Sequence, residues 1–134
     1  MKRTMTTPEF ANYPGDWHLS PVLDTGEFVF FSGITGTHPN LSIAADPTAQ
    51  FRDIFKFLLA NLRVAGLGFE HVVDMTSYHV ELRRHLTAFV KVKDEFISEP
   101  YPAWVQTPRR AAFPNARYRT PPVPAICGPN GFAD

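Results

Sequence analysis

The stretch Glu27-Phe28-Val29-Phe30-Phe31-Ser32-Gly33 decides the fold of this 134-residue chain. Aromatic and β-branched residues favour extended strands, and a glycine directly after such a run marks its end. Because no polar residue interrupts Phe28–Phe31, we predict a strand that is buried on both faces. Upstream, Asp24-Thr25-Gly26 is a turn signal, and His18–Leu23 predicts a short edge strand because Pro21 donates no ladder hydrogen bond. Together the two strands predict a β-hairpin.

Four further segments carry the periodicity of regular secondary structure. In two of them apolar side chains recur three and four positions apart, which is the spacing of one face of a helix. The clearer helix has Asp46 at its N-cap position and Pro47 as its first residue, the places that favour these residue types. The predicted helices span residues 47–65 and 86–96, and the predicted strands span residues 70–82 and 103–113.

The order β-β-α-β-α-β is typical of an α+β domain with both helices packed on one face of a sheet. The other face of that sheet then needs cover, and a subunit interface would supply it. We therefore expect a single domain over residues 1–134, with residues 1–16 as a polar N-terminal arm. From about residue 105 onward the chain is expected to be an atypical tail rich in Pro and Arg.

Two interpretations of this tail stay open. Beyond Pro114 no hydrophobic period is visible, and the prolines of residues 121–124 exclude a central strand. In one interpretation the chain is divergent, and the tail wraps over the sheet or over a neighbouring subunit. In the other, residues from about 105 onward come from a shifted reading frame, because a GC-rich gene read out of frame yields abundant Arg, Pro and Ala.

Composition narrows the class of protein. Thirteen Lys and Arg balance thirteen Asp and Glu, so the basic excess of a typical nucleic-acid-binding protein is missing and no such partner is expected. Cys127 is the one cysteine, which is typical of a reducing compartment. No uninterrupted apolar run is long enough to span a membrane. We expect a cytoplasmic protein with no membrane partner.

The histidines and acidic residues do not form a recognisable metal or cofactor motif. None of the five histidines has metal-ligand spacing, and no glycine-rich phosphate loop is present, so we expect neither a metal nor a cofactor. In the strand of residues 70–82, Met75, Ser77 and His79 share one face. His79 is the best candidate for a general base if it faces a cleft, and otherwise it is a histidine packed on a sheet face.

Four stretches, in order, resemble the Rid (reactive intermediate deaminase) family, which is also called YjgF-like or endoribonuclease L-PSP. Members of that family have a hydrophobic strand closed by Ser-Gly, a helix that opens with Gln and ends at Ala-Gly-Leu, and a Pro-Ala pair before a later strand. The matching residues here are Phe28–Gly33, Gln50 with Leu62 and Ala65–Leu67, Val72–His79, and Val92–Phe96 with Tyr101–Ala103.

The resemblance implies a chorismate-mutase-like α+β fold with two helices on one face of a mixed sheet. It also implies a homotrimer that binds small molecules in clefts between subunits, with no cofactor. Well-known members hydrolyse imines and enamines, and hold the substrate carboxylate with an arginine fork. Here Trp104 stands where that arginine should follow Pro102-Ala103, and Val90 stands where members often have an Asn. Members also carry a Glu on the last strand that positions water, and this chain has no match for it. Losing the fork should weaken carboxylate binding by ~1.5–3 kcal/mol.

Six residues are the expected ligand-binding set under this resemblance. For Ser32 and Gly33 the alternative is a strand-to-loop turn that needs a small residue, and for Trp104 it is core or interface packing. Arg109, with Arg110, is a candidate substitute for the missing fork, and the alternative is a solvated or interface charge cluster. The six residues are Ser32, Gly33, Phe89, Val90, Trp104 and Arg109. The expected function is hydrolysis of an imine or enamine between subunits, and the alternative is a non-catalytic trimer that binds a metabolite or a partner. Ribonuclease activity, attached to some members, is not expected from the neutral charge balance.

Overall fold

The computed structural model describes residues 1–109 and 125–127 of the chain. It has the mixed α+β class that the sequence predicts. Two short 3₁₀ turns accompany the regular elements, at Pro8–Phe10 and Phe69–His71. In chain order the elements are β1 (Arg3–Met5), α1 (Tyr13–Trp17), β2 (Val22–Asp24), β3 (Val29–Phe31), α2 (Pro47–Val64), β4 (Asp74–Val80), α3 (Leu82–Phe96), β5 (Ala103–Arg109) and β6 (Ala125–Cys127).

The strands form two three-stranded groups. One has the order β1-β2-β3 and is antiparallel throughout. The other has the order β5-β4-β6, in which β4 runs parallel to β5 and antiparallel to β6. Helix α3 connects β4 to β5, as a parallel pair requires a crossover. In this register Met75 lies opposite Trp104, which brings Trp104 to the face of Met75.

Helix α2 begins and ends where local sequence signals place its boundaries. The Asp46 carboxylate accepts a 3.1 Å hydrogen bond from the backbone N–H of Ala49, which satisfies one of the free donors of the first turn. Gly66, just after the helix, has a φ of 73°, a left-handed conformation that glycine adopts without strain. The predicted span of residues 47–65 is therefore confirmed to within one residue.

The core lies between the two long helices and the face of β4 that carries Met75. Phe55 of α2 stacks on Phe96 of α3 at 5.4 Å between ring centroids, and it lies 5.6 Å from Phe89. Each fully buried aromatic or aliphatic side chain of this kind stabilises the fold by about 1.5–3 kcal/mol. The buried apolar cluster consists of Ile34, Phe51, Ile54, Phe55, Leu58, Leu62, Met75, Phe89, Val92 and Ile97. Both helices thus cover one face, as predicted.

The hairpin differs from its prediction in two respects. The predicted arm, residues 1–16, contains β1, which pairs with β2, so β2 is a central strand. Pro21 is compatible with this position because it precedes the first residue of β2 and needs no ladder hydrogen bond. Strand β3 is only half-buried within one chain, and Phe28 beside it is 57% exposed. The predicted burial on both faces is therefore only partial within the described part of one chain.

The end of the chain is described only in part. Residues 110–124 and 128–134, with Arg110 and most of the predicted tail, lie outside the described residues. Strand β6 pairs with β4 opposite Thr76–Tyr78. Within the described ranges, none of the helices combines the length and the hydropathy that a membrane crossing demands.

Candidate functional site

Trp104, the second residue of β5, is the centre of the candidate site. Its half-buried indole ring stacks on Phe89 of α3, with 5.8 Å between centroids and 30° between ring planes. Two of the six predicted residues therefore contact each other through a helix and a strand that are distant in sequence. Val90 follows Phe89 on α3 and is half-buried.

A buried hydrogen-bonded chain lies beneath the indole ring. The Nε1–H group of Trp104 donates to Ser77 Oγ over 2.8 Å, and Ser77 Oγ lies 2.7 Å from Nε2 of His79. Because an indole nitrogen can only donate, the serine oxygen accepts from it, and its own hydrogen is free to point at His79. This assignment puts the histidine proton on Nδ1, which has no hydrogen-bond partner among the described residues.

His79 is neutral in this environment. Its side chain is 1% exposed, and burial lowers its pKa to about 4, with a smaller contribution from the nearby His85. The imidazole faces helix α3, because its ring packs edge-on against Phe89 at 4.6 Å. His79 is thus the packed histidine of the two alternatives, and it is not placed to act as a general base in an open cleft.

Lys93 adds a positive charge to the site. Its Nζ atom lies 5.2 Å from the ring centroid of Trp104 and 5.4 Å from that of Tyr101. The ammonium also donates a 2.9 Å hydrogen bond to Asp94 Oδ1. Lys93 was not among the residues predicted for the site. The available signal was a lysine directly after the apolar Val92 in the predicted helix of residues 86–96.

Ser32 and Gly33 lie at the end of β3. The Ser32 hydroxyl donates to the backbone carbonyl of Ser20 over 2.6 Å, and its backbone N–H donates to Pro21 O over 3.1 Å. These bonds hold the hairpin together, so Ser32 has structural partners within its own strand pair. Gly33 is exposed. The described contacts do not join either residue to Trp104.

Arg109 lies far from Trp104 along the same strand. Its backbone is opposite Val80 at the end of the β4–β5 pair. Five positions along a strand correspond to about 16 Å, so the backbone does not bring Arg109 beside Trp104. Its proposed role as a substitute anion-binding group stays a prediction.

A separate apolar cavity of about 420 Å³ opens between β3 and β4. It reaches the core residues Leu58 and Leu62, and its wall includes Phe31, the residue before Ser32. None of the six predicted ligand-binding residues lines it. The cavity therefore belongs to the seam between the two strand groups and is distinct from the surroundings of Trp104.

Metal-ligating groups are dispersed in the part of the chain that the structure describes. Over that part, no three His, Cys, Asp or Glu side chains converge in a way that could hold a metal ion. Around Trp104 the described side chains supply an aromatic wall, an ammonium and a carboxylate.

Comparison with known proteins identifies a family and a relative of this chain. Residues 14–117 match the family model described as Endoribonuclease L-PSP. The RutC family protein YjgH of Escherichia coli (strain K12) is 33% identical over 86 residues, which cover 63% of this chain and 66% of that protein.

Solved structures support the same fold. YyfA of Yersinia pestis, described as a protein of unknown function of the Rid family, matches with a TM-score of 0.76 at 17% identity, covering 96% of this chain and 99% of that one. Escherichia coli TdcF with bound serine matches with a TM-score of 0.65 at 24% identity, covering 82% and 87% of the two chains. At these identities the likeness shows the fold.

Proposed function

Because the chain belongs to the endoribonuclease L-PSP family, also called the Rid or YjgF-like family, we propose that it binds a small reactive metabolite and hydrolyses its imine or enamine group. The observation that carries the proposal is the aromatic wall formed by the half-buried ring of Trp104, which the buried Phe89 backs and which has the Lys93 ammonium against it. Such a wall suits a planar, conjugated group, because flat π systems stack on aromatic faces.

The reaction makes modest demands on a site. Water adds to the C=N carbon to give a carbinolamine, which then expels ammonia and leaves a carbonyl compound. Because imines hydrolyse readily, a site that orients the substrate and one water molecule contributes much of what is needed. The nitrogen must gain a proton to leave as ammonia, and a nearby ammonium can assist by donating that proton as a general acid.

We further propose that the site is completed between copies of the chain in a homotrimer. Apolar side chains lie on the surface that the helices do not cover. Val105 pairs with Thr76 on the face opposite Met75 and is 55% exposed, and Phe28 beside β3 is 57% exposed. Large exposed apolar residues of this kind are typical of subunit interfaces when they form a contiguous patch.

The serine bound to TdcF supports a small, amino-acid-like ligand for this fold. In this chain position 104 supplies an indole in place of an arginine fork, and the indole N–H is already bonded to Ser77. A carboxylate therefore finds no donor on the Trp104 side chain. Nuclease activity is a weaker proposal, because equal numbers of basic and acidic residues leave no charge excess to attract phosphates.

A non-catalytic, metabolite-binding protein is the second candidate. It is favoured by the burial of the polar groups beneath Trp104, since Ser77 and His79 are 0% and 1% exposed and cannot reach a ligand in front of the ring. The two candidates share one site and differ only in turnover.

Hydrolysis of freshly generated 2-iminobutanoate separates the two candidates. We expect the wild type to accelerate formation of the 2-oxo acid over buffer, and Trp104→Ala to lose at least about 10-fold of that acceleration. Trp17→Ala is the matched control, because Trp17 is 67% exposed on α1 and should not affect the rate. Absence of acceleration by the wild type, together with thermal stabilisation by a metabolite, would instead support the binding protein.

A further inference from the structure

Lys93 stands out for its charge and its burial. Of the buried polar side chains in residues 1–108, which are Thr7, Gln50, Asn61, Ser77, His79 and Lys93, it alone is charged at neutral pH, because the lowered pKa keeps His79 neutral. Burying an ammonium is costly unless it has good partners. The environment of Lys93 must therefore account for this charge.

The partners of Lys93 compensate its charge only in part. Asp94 is its one hydrogen-bond acceptor among the described residues, and that carboxylate is 54% exposed to solvent. Consecutive residues of a helix do not face each other, so the Asp94 side chain has to reach sideways to make this contact. An ammonium has three N–H donors, and Asp94 takes one of them.

The two aromatic rings near the ammonium form walls with different backing. Trp104 is fixed, since its N–H is bonded to Ser77 and its ring is backed by Phe89. Tyr101 is 58% exposed, so it stands at the opening to solvent. Cation–π contact with both rings offers no hydrogen-bond acceptor to the remaining N–H donors of Lys93.

We propose that the Lys93 ammonium is an anion-binding group, and that it takes the carboxylate of a small organic acid between the rings of Trp104 and Tyr101. This inference rests on the proposed function for the location and the class of the ligand, and it adds the residue that holds the ligand's charge. An ammonium is a point charge and not a bidentate fork, so the carboxylate is held less tightly than by an arginine. Asp94 competes with the ligand for the same donor.

The test uses the indole N–H signals of the full-length protein in ¹H–¹⁵N spectra. The chain has two tryptophans, and Trp17→Phe assigns the Trp104 signal. The probe is pyruvate, a stable carboxylate beside a planar carbonyl that cannot undergo imine hydrolysis. We expect a saturable shift of the Trp104 signal with millimolar affinity. The Lys93→Met variant should bind at least about 10-fold more weakly, the loss expected for a charged hydrogen bond.

Two further variants keep the test decisive. Lys91→Met is the matched control, because Lys91 is exposed on the same helix and its loss should not affect the affinity. Asp94→Asn removes the competing carboxylate without touching the core, and should tighten pyruvate binding severalfold.

Three outcomes overturn the inference: no saturable shift in the wild type, equal affinity in the wild type and Lys93→Met, or equal losses in Lys93→Met and Lys91→Met. Inorganic phosphate serves as a comparison anion, and a preference for phosphate over pyruvate would also contradict the carboxylate assignment. Pyruvate binding involves no turnover, so loss of pyruvate binding with intact imine hydrolysis contradicts the anion site alone. Loss of imine hydrolysis with intact pyruvate binding contradicts the proposed function alone.

Discussion

Trp104 donates its indole hydrogen to the buried Ser77 Oγ over 2.8 Å, so the only polar atom of its side chain is directed toward the protein interior. Ser77 in turn lies 2.7 Å from His79, and both are buried. A ligand in front of Trp104 therefore meets an aromatic face and not a hydrogen-bond donor. Under the proposed function, this position therefore selects a ligand by shape and stacking, and any charge recognition has to come from another residue.

Ser77→Ala should destabilise the fold by about 1–3 kcal/mol, because it leaves the Trp104 N–H and the His79 Nε2 atom without their shared partner. Urea unfolding at fixed protein concentration measures this loss. Ser98→Ala is the control, since Ser98 is exposed after α3 and should change the free energy of unfolding little. Equal stability of Ser77→Ala and the wild type would show that the buried chain contributes nothing.

Stability should fall on acidification because of His79. Its pKa is about 4 in the folded chain and close to 6.5 when unfolded, so between these values the unfolded chain binds the extra proton. The free energy of unfolding is therefore unaffected by this group above about pH 6.5, and decreases by up to roughly 3 kcal/mol as the pH falls toward 4. Urea titrations at pH 7 and pH 5 measure the change.

His79→Gln should reduce this pH dependence, because glutamine has no ionisable group. The exposed His18 provides the matched control, and His18→Gln should keep the acid sensitivity of the wild type. If His79→Gln loses as much stability between pH 7 and pH 5 as the wild type, the acid sensitivity arises from other groups.

Val105→Glu should dissociate the proposed trimer, because it places a charge on the apolar sheet face that the helices leave open. Size-exclusion chromatography with light scattering should report a smaller species with unchanged far-ultraviolet circular dichroism. Val64→Glu is the control, since Val64 is 37% exposed at the end of α2 and lies away from that face. Retention of the wild-type mass by Val105→Glu would exclude this face from the interface.

Local signals explain which elements could be predicted from the sequence. Asp46, Pro47 and Gly66 act on their own neighbours, and they define α2 to within one residue. Alternation in β4 placed Ser77 and His79 on one face, and the structure joins them on that face. Strand β1 was missed because three residues without alternation carry no local signal, and its pairing with β2 spans distant parts of the chain.

The candidate site depends more strongly on contacts between distant segments. Trp104 and Phe89 were both predicted, but their stacking depends on how α3 packs over β5. Lys93 lies on α3, and its ammonium is enclosed only because Tyr101 and Trp104, which are distant from most of that helix in sequence, pack beside it. The roles of Ser32, Gly33 and Arg109 depend on the proposed subunit interface, and they stay predictions.

Sedimentation equilibrium of the purified wild-type chain at micromolar concentration is the most direct test, because the proposed ligand site needs more than one copy. The chain has a mass of 15.1 kDa, and the account predicts a species of three times that value. A well-folded species of 15.1 kDa at that concentration would contradict it.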